Sequence, residues 1–266
     1  MRGQVAVVTG GSGVLGSAMA HGLALAGVRV AILGRRLAAC EQVAQAIIAV
    51  GGEAVAVAAD VLDPAALVAA ATQIAATLGP VDLLVNGAGG NDPRATANAE
   101  QSFFDLAPTG IEAVLHSNFI GTLQPCQVWG RAMAERGQGN IINISSMGAI
   151  RALSRVGIYG AAKAAVSNFT QWLAVHMAQE YSPRIRVNAI APGFFLTEQN
   201  RFLLTDAATG ELTARGTSII AHTPQRRFGA PADLVGTLLW LASPAAAFVT
   251  GIVVPVDGGF AAGSGV

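Results

Sequence analysis

Short apolar runs rich in β-branched residues recur along this chain, each followed by turn residues and then by a longer stretch of helical character. They are QVAVVT (4–9), VRVAIL (28–33), EAVAVAAD (53–60), VDLLVNGAG (81–89), GNIINISS (139–146), IRVNAIAPG (185–193) and GIVVPVDGG (251–259). An unbroken apolar run of this length suits a strand buried on both faces. When such strands alternate with helices, each right-handed crossover returns the chain to the same end of the sheet. The expected product is a parallel sheet of about seven strands covered by helices on both faces. No linker or shift in composition divides residues 1–266, so one α/β domain is expected. The longest segment between strands that exceeds a simple crossover runs from 194 to 229, and an excess of that kind suits a lid over a site.

Composition narrows the function classes. Hydrophobic residues make up 52% and charged residues 12%, which favours a large core and buried contacts between subunits. The formal net charge is zero and the arginines are scattered, so neither nucleic acid nor an anionic membrane is an expected partner. Cys40 and Cys126 have no metal-like or redox-like spacing; a reducing compartment fits, with a Cys40–Cys126 pair left open. No metal site is expected. The opening MRGQVAVVTGG enters a strand-like run with no long apolar stretch before it, and no apolar stretch reaches membrane-spanning length without interruption. A cytoplasmic protein is the expectation.

The first strand-like run leads into VVTGGSGVLG (7–16), a glycine-rich turn opening a helix. Glycines in such a turn let the backbone approach a pyrophosphate, while the free N–H groups of the helix start point at it. The steric alternative is that tight turns need glycine for their own sake. Within its βαβ context the turn predicts a Rossmann-type, doubly wound fold that binds a dinucleotide. Asp60 closes the third run, where a carboxylate can accept a bond from an adenine amino group. At the end of the second run a carboxylate would select NAD through the ribose 2′-hydroxyl; here Gly34 stands in that place and Arg35 and Arg36 follow. A small residue beside two guanidinium groups favours NADP(H), with NAD(H) as the alternative and a solvated helix start as the bland one.

The chain has one lysine, Lys163, and it lies four residues after Tyr159, one of two tyrosines. On a helix that spacing puts phenol and amine on one face. A nearby ammonium stabilises phenolate, so Lys163 is expected to draw the phenol below its usual pKa of about 10. Ammonium also offers three donors, enough to hold a ribose diol while facing the phenol, which a guanidinium fork would do poorly. A chance pair on a surface helix is the alternative. Ser146 closes the strand NIINISS at the carboxyl end, where open α/β sheets place ligands, and its hydroxyl could hold a substrate oxygen. Ser145 is the neighbour to be told apart from it. Asn118, in HSNFIGT, falls inside a helical stretch, where it costs some propensity unless a backbone or water contact compensates.

Taken together, TGGSGVLG (9–16), Asp60, NGAG (86–89), Asn118, Ser146, YGAAK (159–163), PGFFLT (192–197) and DGG (257–259) resemble the short-chain dehydrogenase/reductase family in its classical branch, over nearly the whole chain. The resemblance implies hydride transfer between a nicotinamide and a carbonyl or alcohol carbon. It implies Tyr159 as acid/base, Ser146 holding the substrate oxygen, Lys163 on the nicotinamide ribose and Asn118 on a relay water. It places Gly10, Ser12 and Gly16 at the phosphates, Asn86 and Gly89 at the adenosine side, and Thr197 at the nicotinamide amide or phosphates. Gly13, Val14, Leu15, Val61, Ala88, Pro192 and Gly193 flank these positions and complete the implied cofactor set. One departure is that the middle glycine of the family turn T-G-x-x-x-G-x-G is Val14 here, with Gly13 one place earlier. A homotetramer is implied as well.

Three stretches, NGAGGNDPRAT (86–96), GFFLTEQNRFLL (193–204) and the terminal DGGFAAGSGV, resemble family members that interconvert D-fructuronate and D-mannonate. A polyhydroxy acid needs donors for its hydroxyls and a cation for its carboxylate. Asn91, Arg94, Arg151, Asn200 and Ser146 are the candidates to supply them. A 3-oxoacyl or general ketone reductase is the alternative within enzymes, and a dinucleotide-binding regulator the alternative outside them.

Overall fold

The computed structural model describes residues 1–197, 201–206 and 209–263. Its first half runs β1 (Val5–Thr9), α1 (Val14–Leu25), β2 (Arg29–Gly34), α2 (Leu37–Ala49), β3 (Ala54–Ala58), α3 (Pro64–Leu78), β4 (Leu83–Asn86) and α4 (Pro108–Leu115). A π-helical segment, His116–Ile120, joins α4 to α5 (Gly121–Arg136). There follow β5 (Gly139–Ile144), α6 (Gly157–Glu180), β6 (Ile185–Pro192), α7 (Arg201–Leu204), α8 (Ala214–His222), α9 (Asp233–Ala242) and β7 (Val253–Val256).

The seven strands form one sheet in the order β3-β2-β1-β4-β5-β6-β7, and every pairing is parallel. From β1 the chain builds outward to β2 and β3, then returns to lay β4 on the other side of β1. That reversal opens a crevice above the carboxyl ends of β1 and β4, the usual place for a ligand in such a sheet. All seven strands coincide with the apolar runs of the sequence, but five of them are shorter at the carboxyl end. Asp60, Ala88 with Gly89, and Ser146 lie beyond the ladder. These are the residues the crevice needs, because a backbone still engaged in the ladder cannot turn toward a ligand.

Strand alternation sends neighbouring side chains to opposite faces. Ala6, Val8, Val30, Ile32 and Val85 face Met19 and Leu23 of α1, Ile47 of α2, and Leu234 and Leu238 of α9. Val5, Val7, Ala31, Leu33, Leu84 and Ile141 face Leu67 and Ile74 of α3, Trp129 and Met133 of α5, and Leu173 and Met177 of α6. Each large side chain buried in this way contributes about 1.5–3 kcal/mol. Cys40 and Cys126 are free and buried, and they belong to opposite layers, so the pairing left open by the sequence does not form. Among the described residues no helix is long and apolar enough to cross a membrane, and no group of His, Cys, Asp and Glu is arranged to hold a metal.

The long segment after β6 carries the short helix α7 and the helix α8, tied down by a bridge between Phe195 and Gly229 and another between Thr205 and Leu212. It leaves the sheet from the carboxyl end of β6, the same edge at which Ser146 follows β5.

Candidate active site

The glycine turn is shaped by close approach. Gly10 has φ +63°, and a methyl group there would sit 2.8 Å from Gly87 O and 2.9 Å from Ala88 Cα. A methyl on Gly16 would collide with Gly10 O. Gly13, by contrast, is extended at φ −78° and only caps α1, so any residue could adopt its conformation. This explains the departure at Val14: the tight contacts fall on Gly10 and Gly16, and Val14 opens the helix partly exposed. No side chain caps α1 and no acidic residue stands in its first turn. The amides of Val14, Leu15 and Gly16 are therefore a suitable cradle for a pyrophosphate. Ser12 flanks them near Gly34, where an added Cβ would meet Cys40 Sγ at 3.0 Å and Ser12 Oγ at 3.3 Å. Arg35 and Arg36 follow at once, both exposed.

Several other cofactor candidates have definite places. Asp60 stands two residues beyond β3, and one of its carboxylate oxygens accepts from Leu62 N at 3.0 Å. Val61 packs against Gly121, where the π segment ends. Asn86 is turned away from the crevice: it is buried, and its amide donates to Asn143 Oδ1 at 2.9 Å and Cys126 Sγ at 3.2 Å. Its side chain fastens β4 to the layer beneath, so it reaches a cofactor only through the backbone that follows. That backbone is set by Thr9, whose hydroxyl accepts from Gly87 N and Ala88 N, both at 3.2 Å. Thr9 is a positioning residue to which the sequence assigned no role of its own. Pro192 ends β6; Gly193 donates its N–H to Val256 O at 2.9 Å and abuts Asp257, where a Cβ would lie 2.6 Å from that residue's Cβ. Thr197 accepts at its carbonyl from Arg201 N at 2.9 Å.

The chemical group assembles where the π segment, β5 and α6 meet. Asn118 is fully buried in the widened turn. Such turns free backbone groups and are frequent at functional sites. Its amide donates to Gly90 O at 2.6 Å and Val114 O at 2.8 Å, and its Oδ1 accepts from Gly90 N at 3.2 Å. These are the compensating contacts a helical asparagine needs. Gly89, at φ +149°, lies between Asn118 and Lys163: a Cβ there would be 2.5 Å from Asn118 Oδ1 and 3.4 Å from Lys163 Nζ. Lys163 is buried, and its ammonium donates to Ile144 O at 2.8 Å. It stands 5.8 Å from the centre of the Tyr159 ring.

The electrostatics correct one expectation. Lys163 does not draw the phenol down in the protein alone. Burial pushes the Tyr159 pKa above its ordinary 10.0, and the neighbouring Ser146 side chain pulls it back only in part. Phenolate loses more solvation than the Ser146 hydrogen bond restores. Burial also lowers Lys163 itself, to about 8. The two serines are clearly separated. Ser145 Oγ is engaged by Lys163 O at 3.0 Å and Ser167 Oγ at 2.7 Å, which anchors α6 to β5. Ser146 Oγ accepts a turn contact from Gly148 N at 3.1 Å, and its hydroxyl is the hydrogen-bonding neighbour of the Tyr159 phenol.

Comparison with known proteins bears on this arrangement. The sequence model of the short chain dehydrogenase family matches residues 4–208. The chain belongs to the short-chain dehydrogenase family. As a member it is an oxidoreductase acting on a small molecule with a nicotinamide cofactor. It is 51% identical to oxidoreductase UxuB of Bacillus subtilis (strain 168), itself uncharacterized, over 100% of this chain and 98% of that one. A solved structure provisionally named D-mannonate oxidoreductase, from Haemophilus influenza and with bound NAD, shares 42% identity and a TM-score of 0.93 across 100% of this chain and 98% of that one. A gluconate 5-dehydrogenase from Burkholderia cenocepacia J2315, in complex with NADP and tartrate, shares 32% identity and a TM-score of 0.87 over 99% and 97%.

The substrate candidates of this dehydrogenase fare unevenly. Arg94 is taken up by Asp92 through two bonds, Nε to Oδ1 at 3.0 Å and Nη2 to Oδ2 at 2.8 Å, which hold the Asp92 carboxyl down to about 2. Asn91 donates to Thr96 Oγ1 at 2.7 Å. Both pairs shape the loop after β4 and leave little for a ligand. Arg151 donates through Nε to Ala261 O at 2.8 Å and so ties the carboxy-terminal segment to the loop after Ser146. Asn200 lies outside the described residues.

Proposed function

We propose that this dehydrogenase reduces the ketone of a sugar acid, D-fructuronate to D-mannonate, with NADPH as the preferred cofactor. The observation that carries the catalytic reading is the convergence of Asn118, Lys163 and the Gly89 backbone beside Tyr159 and Ser146. The glycine cradle fits a dinucleotide, since Gly10, Gly16 and Gly89 leave space that a Cβ would fill. When bound, the nicotinamide supplies the hydride. Ser146 donates a hydrogen bond to the ketone oxygen and offsets its developing charge. Tyr159 gives its phenolic proton to that oxygen. Lys163, with one proton on Ile144 O, keeps two donors for the ribose hydroxyls and a fixed orientation beside the phenol. Asn118 holds the Gly90 backbone and thereby the floor of the cleft.

The substrate class rests on the relatives' names and on polar residues at the carboxyl edge. Exposed aromatic and apolar residues on α6 and just after it, Trp172, Val175 and Tyr181, support a subunit contact within a homotetramer. For the cofactor, the absence of a carboxylate at Gly34 and the exposed Arg35 and Arg36 favour a 2′-phosphate. NAD is the second reading, favoured by its presence in the 42% identical Haemophilus structure. The test is a panel of purified protein with NADPH and NADH against fructuronate, related keto-sugar acids and acetoacetyl thioesters. Fructuronate is expected to give the highest kcat/KM, NADPH to exceed NADH by about tenfold, and Arg35→Ala to erase that margin, as loss of one charge-assisted contact predicts. A panel led by acetoacetyl thioesters overturns the substrate reading. NADH equal to or better than NADPH in the wild type overturns the cofactor reading.

A further inference from the structure

Along α6, Lys163, Ser167 and Thr170 are spaced four and three apart and so share one line of the helix. The line continues as Ala174 and Met177, which pack in an apolar layer. Its earlier part is different. Lys163 and Thr170 are buried and Ser167 is half-buried, and all three bond to the end of β5 or the residue after it. Asn143 donates its amide to Thr170 Oγ1 at 2.9 Å. Ile144 O accepts from the Lys163 ammonium at 2.8 Å. Ser145 Oγ lies 3.0 Å from Lys163 O and 2.7 Å from Ser167 Oγ. Three consecutive residues at one strand end thus hold successive turns of the helix, and Lys163 is held by both its backbone and its side chain.

Each bond of this rail has a defined direction. Lys163 O can only accept, so the single Ser145 hydroxyl proton goes to it and Ser167 donates in the second contact. Thr170 accepts from Asn143 and donates to Val166 O at 2.8 Å. Asn143 in turn accepts at Oδ1 from the Asn86 amide at 2.9 Å, which links the rail to the end of β4. Apolar contacts would fill this interface at less desolvation cost, but they are non-directional and let a helix roll or slide. Paired donors and acceptors oppose both motions. There is also little room to absorb a roll. A Cβ on Gly160, next to Tyr159, would lie 3.0 Å from Gly148 O, and Gly148 N donates to Ser146 Oγ at 3.1 Å.

We propose that Asn143, Ser145, Ser167 and Thr170 are positioning residues, which set the rotation and register of α6 so that Tyr159 meets Ser146 and the Lys163 ammonium stays beside the phenol. The four act through the catalytic group and touch no reacting atom. The assignment rests on the catalytic reading of Tyr159, Ser146 and Lys163, and concerns how that group is held. Releasing the rail loosens the contact between Ser146 and the phenol, the contact that draws the Tyr159 pKa part of the way back down.

The test is steady-state kinetics with saturating NADPH and fructuronate, or the acetoacetyl thioester should that lead the substrate panel. It compares the wild type with Ser145→Ala, Thr170→Val and Thr170→Ser, and takes Tyr159→Phe as the reference. Valine matches threonine in shape and serine keeps the hydroxyl, while near-UV circular dichroism gives the folded fraction of each protein. Ser145→Ala and Thr170→Val are expected to lower kcat about 10- to 100-fold, the effect of a small misplacement. KM should stay within about threefold, and Thr170→Ser should recover most of the loss. In alcohol oxidation the rise of kcat with pH should move to higher pH in the two impaired variants, because a displaced phenol loses the hydrogen bond that favours phenolate. If Tyr159→Phe is impaired while Ser145→Ala and Thr170→Val keep the wild-type kcat and pH profile, the catalytic reading stands and the rail is wrong. A kcat that falls only in proportion to the folded fraction, or a Thr170→Ser protein no better than Thr170→Val, also overturns the rail. If Tyr159→Phe reduces the ketone at the wild-type rate, the catalytic reading itself fails and takes the rail with it.

Discussion

Tyr159→Phe, which removes one oxygen atom, is expected to lower kcat for ketone reduction by about 10²–10⁴-fold, the usual contribution of a positioned general acid. Cofactor affinity and KM should stay within about threefold, because the ring still fills its place and only the proton donor is gone. The chain provides its own control: Tyr181, the other tyrosine, is 56% exposed, and Tyr181→Phe should match the wild type. The direction of the Tyr159 shift adds a pH signature. A phenol held above 10.0 by burial stays protonated through neutral pH, so reduction should be flat there and fall only at alkaline pH. Alcohol oxidation, which needs the phenolate, should instead rise with pH. Stopped-flow measurement of NADPH consumption checks the first expectation and a steady-state pH series the second. A Tyr159→Phe protein that binds cofactor and reduces ketones at the wild-type rate would falsify the assignment.

The second large effect pulls activity and stability apart. Lys163→Met is expected to lose activity by at least about 10²-fold, through misplacement of the ribose and the phenol, while the apo protein becomes as stable as the wild type or more so. Burial lowers Lys163 from 10.5 to about 8. That shift corresponds to a penalty of about 3 kcal/mol for keeping the ammonium charged at neutral pH. Methionine removes the penalty but leaves Ile144 O without its donor, a loss of about 1–3 kcal/mol, so the net gain is about 0–2 kcal/mol. The sign with pH follows from a folded pKa below the unfolded one. The penalty is fully present below pH 8 and is relieved as pH rises from there toward 10.5, because the unfolded chain then holds more protons than the folded one. The stability difference between Lys163→Met and wild type should therefore shift in favour of the wild type between pH 7 and pH 9.5 in urea titrations. A difference that stays constant, or a variant destabilised by several kcal/mol at pH 7, would show that the ammonium is a structural tether. Such a residue is a trade of stability for function, of the kind expected where chemistry requires a buried charge.

These residues also mark how much the sequence could disclose. The Tyr159–Lys163 spacing, the apolar runs and the glycine turn are local patterns, and local patterns survive being read in one dimension. The parallel sheet with helices on both faces followed from the alternation of these runs with helices, while the strand order came only with the structure. What escaped was whatever depends on who else is nearby. The fall in the Tyr159 pKa expected from an adjacent cation does not occur, because burial of the phenol raises it instead, which no spacing reveals. Asn86 stands at a strand end beside the crevice, yet its amide turns to Asn143 and Cys126, residues 57 and 40 positions away. Arg94 looked like a free cation because Asp92 sits only two places before it, a separation that carries no helical pairing rule.

The widened turn that bears Asn118 has a consequence for how this cleft can change. By donating to Gly90 O and accepting from Gly90 N, the side chain behaves as an extra peptide unit, completing a pairing that β4 abandoned three residues earlier. Only a carboxamide has both halves at that spacing. A side chain on residue 89 would push into the same space from the other direction. The glycine and the asparagine are thus a matched couple, and a descendant that altered one would be driven to alter the other or to rebuild the cleft floor from a different helix.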